Sequence, residues 1–116
     1  MSQRTDRLDS QIRAELMELL QRQMKDPRIG FATVTRVETA RDLGSARVWV
    51  SVLGSAEEQG AAMKALVAAA PWLRRQLGER LTLRHVPELH IRHDDSMESG
   101  DRVLRILREI EEGQTP

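Results

Sequence analysis

The pattern of apolar and polar positions divides the chain into short periodic segments. Leu8, Ile12, Leu16, Leu19, Leu20 and Met24 recur at three- and four-residue spacing, which predicts an amphipathic helix over residues 6–24. Thr5 is placed to cap it, and Pro27 ends it by forcing Asp26 out of helical geometry. Strict alternation follows twice, from Phe31 to Glu38 and from Ala46 to Leu53, in runs rich in β-branched residues. The link Ala40-Arg41-Asp42-Leu43-Gly44 is short and ends in glycine, which favours an antiparallel hairpin with a longer loop. Ser55-Ala56-Glu57-Glu58 is a capping box that opens a second helix. Ala68-Ala69-Ala70-Pro71 interrupts that helix, because proline has no N–H and disfavours helical geometry at Ala70. The expectation is a kink, with Pro71 starting a short helix that ends near Gly78.

Leu81 to Arg84 fits neither period. Glu88 to His93 reads as a third strand, with Leu89 and Ile91 on one side and His90 and Arg92 on the other. Asp94-Asp95-Ser96 is expected to form a turn or cap. Val103, Ile106, Leu107 and Ile110 suggest a last helix, and residues 111–116 are polar. The fold class is therefore α+β, in the order helix–strand–strand–helix–kink–helix–strand. A three-stranded mixed sheet would carry its helices on one face. Residues 1–95 are expected to form the domain, and residues 96–116 a C-terminal helix with an acidic tail.

Composition narrows the function. One domain suits 116 residues, and the lack of cysteine excludes disulfide and thiolate chemistry. No apolar run reaches the length of a transmembrane helix, and the first residues do not resemble a secretory signal. A soluble, cytoplasmic protein is expected. The net charge is zero but unevenly spread. Residues 1–92 carry 15 Lys+Arg against 11 Asp+Glu, and residues 93–116 carry 3 against 7. A basic body with an acidic tail can hold a polyanion locally while remaining neutral overall. Nearly all the basic residues are arginine, whose planar fork suits phosphate.

The element order resembles a type II KH fold, which clamps a nucleic-acid backbone through a GxxG loop between two helices. This chain has no GxxG and holds Ala69-Ala70-Pro71 at that place. That departure, with further motifs, resembles the ribosome-binding factor A family. The motifs are Lys25-Asp26-Pro27-Arg28, Asp42-Leu43, Ala46 to Gly54, Leu73-Arg74, Leu77-Gly78 and Leu83 to Leu89, followed by Asp94 or Asp95 and Ser96. Together they cover residues 4 to about 107. In the family an alanine followed after one residue by glycine replaces the loop. Ala69 takes the alanine position and Pro71 stands where glycine is usual.

The resemblance implies a protein that binds the free small ribosomal subunit and its rRNA. It implies help in late maturation and in 5′-end processing of that rRNA, most needed in the cold. Release would be assisted by a ribosome-associated GTPase, and no catalytic activity or cofactor is implied. The expected RNA-binding residues are Lys25, Arg28, Ala69, Ala70, Pro71, Arg74, Arg75, Arg80 and Arg84. Arg74 and Arg84 lie on family motifs, whereas Arg75 and Arg80 are included on charge alone. Arg74, Arg75, Arg80, Arg84 and Arg92 are opposed only by Glu79 and Glu88 over this stretch. The plainer alternatives are a solvated face, an Arg75–Glu79 ion pair at helical spacing, and an ion pair from Arg28 to a nearby acid.

Aromatic residues are few: Phe31, Trp49 and Trp72. Trp72 fits the core beside Leu73, and Trp49 would share a strand face with Arg47 and Ser51. This shortage favours recognition by shape and phosphate contact over base stacking. His90 and His93 would face opposite sides of a strand, so no metal site is expected. No catalytic motif is recognisable, and the chain is expected not to be an enzyme. A monomer is expected, because no apolar face is obviously left over. Two other classes compete: a KH-like module that binds protein without RNA, and a small enzyme with an unrecognised site.

Overall fold

A computed structural model describes residues 3–24, 26–30 and 32–95. α1 runs Gln3–Glu18 and continues as a π-helical turn, Leu19–Gln23. β1 (Ala32–Thr39) and β2 (Ser45–Val52) form the antiparallel hairpin. α2 spans Ala56–Arg80, and β3 (Glu88–His93) pairs with β2 in parallel. The sheet order is β1-β2-β3, so both outer strands present an edge. The expected last helix at Val103–Ile110 lies outside the described residues.

One core lies between the helices and one face of this sheet. Leu8, Ile12 and Leu16 of α1 and Leu19 of its π-helical turn are buried against Val34 and Val37 of β1, Ala46, Val48, Val50 and Val52 of β2, and Leu66, Leu73 and Leu77 of α2. These are the apolar positions that the two periodicities select.

The two edges are treated differently. α1 covers the outer edge of β1 with its side chains. Arg13 donates to the Val34 carbonyl (3.0 Å), and the Val34 N–H donates to Met17 Sδ (3.0 Å). The Thr39 N–H and hydroxyl both donate to Asp9. Outward-pointing backbone groups that would template another strand are thereby satisfied. At β3, the Glu88 N–H donates to Gly44 and the Asp94 N–H to Val50. The parallel ladder alternates, so Leu89, Ile91 and His93 turn their backbone groups to the other, outer side.

Three local details differ from the pattern-based expectation. The helix begins at Gln3, ahead of Thr5. Its end is a wider turn, with Met24 N–H donating to Leu19 O at 2.9 Å. Pro71 lies inside a single α2 and does not divide it into two helices. Its missing N–H leaves the Val67 carbonyl without its helical donor. Val67 is 55% exposed, so water can meet that carbonyl. The capping box forms as expected. Ser55 Oγ accepts from the Glu58 N–H, and Glu58 accepts from the Ser55 N–H. Those bonds hold the Glu58 carboxyl below its ordinary pKa, the Ser55 backbone donor contributing most. Gly54 is required just before it. Its φ is +140°, and a Cβ there would come within 3.0 Å of Glu58 Cβ.

Candidate nucleic-acid interface

α2 and the edge strand β3 enclose an open groove of about 790 Å³. Its helical wall is Val67, Ala70, Pro71, Arg74 and Arg75, and its strand wall is Glu88 to Arg92. The groove exists because β3 closes one side of the sheet while α2 crosses behind it. Among the described residues, three guanidinium groups (Arg74, Arg75 and Arg92) and one imidazole (His90) line it, opposed by Glu88 alone. Val67, Ala70, Pro71, Leu89 and Ile91 supply apolar surface between them.

The sequence-predicted residues divide among several places. Ala70, Pro71, Arg74 and Arg75 line the groove together. Arg74 also has a structural task, because its Nε (3.1 Å) and an Nη (2.9 Å) both donate to the Val86 carbonyl. That bond fixes the segment leading through buried Pro87 into β3. Arg75 is exposed and forms no ion pair with Glu79 or any other described residue.

Ala69 points elsewhere, into a shallow depression with Gln23, Met24, Asp26 and Trp72 at the end of α1. Arg28 clasps Asp26, Nε to Oδ1 at 3.0 Å and Nη2 to Oδ2 at 2.6 Å. This clasp lowers the Asp26 pKa to about 2 and raises that of Arg28. Arg80 bridges the helices, with an Nη 3.1 Å from Glu15 and 3.7 Å from Glu18. Arg84 is exposed in the segment between α2 and β3. Lys25 lies outside the described residues.

Of the cationic groove residues, His90 and Arg92 are outside the expected RNA-binding set, although Arg92 belongs to the basic stretch from Arg74 to Arg92. The alternation of β3 places both opposite Leu89 and Ile91, but one strand's pattern does not reveal that it forms an edge. The sequence signal was the polar side of that strand. Among the described residues, no group of three or more His, Asp or Glu could hold a metal ion. No helix among them is long and apolar enough to cross a membrane.

Comparison with known proteins agrees with this architecture. A family model described as ribosome-binding factor A matches residues 4–107. The ribosome-binding factor A of Thermomicrobium roseum is 47% identical over 111 residues, covering 96% of this chain and 86% of its own. The crystal structure of ribosome-binding factor A from Thermus thermophilus aligns with a TM-score of 0.69 at 28% identity, over 77% of this chain and 93% of that one. A Thermus thermophilus ribosome binding factor A model, fitted into the cryo-electron microscopy map of its complex with the 30S subunit, aligns over the same shares with a TM-score of 0.66. With its two helices over a three-stranded mixed sheet, this chain belongs to the ribosome-binding factor A family.

Proposed function

We propose that this protein is an assembly factor that binds the free small ribosomal subunit, holding a single-stranded segment of its rRNA in the groove between α2 and β3. The observation that carries the reading is the composition of that groove. Arginines stand on both walls, apolar surface lies between them, and one acid opposes them. Phosphates suit the guanidinium groups and bases suit the apolar floor. The 30S complex described for the Thermus thermophilus relative supports the small subunit as partner. The role is binding and positioning, without catalysis or cofactor.

The finer steps belong to the same proposal. The factor acts late in subunit maturation, supports 5′-end processing of the rRNA, and matters most in the cold. It works in the cytoplasm as a monomer, and a ribosome-associated GTPase assists its release. Arg75 and Arg92 are assigned to phosphate, with Arg74 contributing its outward N–H groups. Arg84, exposed beyond the end of α2, and Lys25 are proposed as peripheral contacts. Arg28 and Arg80 are already engaged by carboxylates and have less to offer RNA. A protein-binding module fits this site less well, because a groove with three arginines against one acid leaves charge that an ordinary apolar peptide cannot neutralise.

Sedimentation of a lysate on a gradient tests the proposal. The tagged protein should migrate with free small subunits, be absent from full ribosomes, and dissociate as salt rises. A protein that stays at the top of the gradient at every salt concentration contradicts it.

A further inference from the structure

The sheet face turned away from the helices carries a second feature. Trp49 lies on β2 but does not pack against the hydrophobic core. Its neighbours are polar and cationic. Arg36 of β1 is its cross-strand partner, with the guanidinium carbon 5.0 Å from the ring centroid. Arg92 of β3 is its partner on the other side. In the adjacent row, Arg47 stands between Glu38 and His90. Arg36 shares its charge with Glu38 at 2.9 Å. The face therefore holds three arginines and a histidine, around a single indole, against Glu38, Glu88 and Asp94, whose carboxylate accepts from the Thr35 hydroxyl of β1.

This arrangement is continuous with the groove. His90 and Arg92 line the groove and also belong to the open face, because β3 is an edge strand. A strand leaving the groove over that edge meets Arg92 first and Trp49 next. Indole and guanidinium planes both stack on nucleobases, and the flanking arginines can hold the adjoining phosphates.

Resting on the groove reading, we infer that Trp49, flanked by Arg36 and Arg92, is a stacking platform for one base of the RNA strand that crosses the β3 edge. Single-stranded RNA is the occupant this chemistry fits. An apolar peptide would gain little from the three arginines, and duplex RNA offers no free base to stack.

A titration with a single-stranded uridine decamer, and with an abasic strand of the same length, tests the inference. The decamer should quench the fluorescence of the wild-type protein and leave that of Trp49→Phe, which reports Trp72, unchanged. Trp49→Ala should weaken decamer binding by about 5- to 100-fold, and Trp49→Phe should largely restore it. The abasic strand should not distinguish the wild type from Trp49→Ala. Far-UV circular dichroism checks that each variant is folded, and the wild-type quenching needs no variant to fold. Unchanged decamer affinity in a folded Trp49→Ala, with no Trp49-dependent quenching, overturns the inference. So does loss of small-subunit binding with decamer affinity intact, which places a ribosomal protein on this face. Arg75→Glu separates the two readings: if it weakens the decamer while Trp49→Ala does not, the groove stands and the platform falls.

Discussion

Replacing Arg75 with alanine removes one guanidinium from the groove wall and little from the fold. The side chain is exposed and forms no ion pair with another described residue. If it holds a phosphate in an open, solvated groove, losing the contact should cost about tenfold in affinity at low salt, or ~1.5 kcal/mol. One fewer neutralised phosphate on a single strand lowers the slope of log affinity against log salt by roughly 0.7. Between about 50 and 200 mM salt, the difference between wild type and variant should therefore shrink by roughly threefold. Fluorescence anisotropy of a labelled single-stranded RNA, repeated across that salt range, measures both quantities. Urea denaturation of the same variant should give an unchanged midpoint. Arg74→Ala should behave differently, because it also loses both hydrogen bonds to the Val86 carbonyl. That variant should lose about 1 kcal/mol of stability as well as affinity. An Arg75→Ala protein with wild-type affinity and wild-type salt slope refutes the assignment of this wall to phosphate.

Four further outcomes follow from the geometry. Ser55→Ala removes the side-chain cap of α2 and should cost about 1 kcal/mol in urea denaturation. The Glu58 carboxyl has a lowered pKa in the folded chain, so its stabilising share is complete above the ordinary carboxylate range and is lost as pH falls through the folded value. The stability deficit of Glu58→Gln should accordingly be present at neutral pH and vanish in acid. Arg80→Ala breaks the tie between α2 and Glu15 of α1 and should lower stability by about 1 kcal/mol or less, with RNA affinity nearly unchanged. Pro71→Ala returns a donor to the Val67 carbonyl and should raise stability by about 1–3 kcal/mol, read as a higher denaturation midpoint.

The parts of this fold set by local chemistry were legible in the sequence. The apolar stripe of α1, the alternation of β1 and β2, and the Ser55–Glu58 capping box each depend on residues close in the chain. Other features depend on partners far along it. The wide turn at Leu19–Gln23 is not encoded in a three-to-four-residue stripe, which fits an α-turn equally well. Pro71 normally breaks a helix, yet α2 continues because the carbonyl it deprives lies on an exposed side. The same division applies to the site. Arg74 and Arg75 are adjacent on one helix, and their richness in charge marked the segment. Arg92 already belonged to that basic stretch, whereas His90 joined it only through the place of β3 at the edge of the sheet. Arg80 looked equivalent to Arg75 until Glu15 and Glu18, more than sixty residues earlier, came beside it.

The central claim is that the groove between α2 and β3 faces rRNA. The chain has no cysteine, so a single introduced thiol can carry a hydroxyl-radical cleavage reagent to a chosen position. Val67→Cys places the reagent in the groove, and Gln11→Cys places it on exposed α1, the helix that covers the opposite edge of the sheet. Bound to free small subunits, the Val67 derivative should cut the rRNA strongly at one single-stranded segment, and the Gln11 derivative should cut it weakly or elsewhere. Strong cleavage from Gln11 with none from Val67, in proteins that both bind the subunit, contradicts the account.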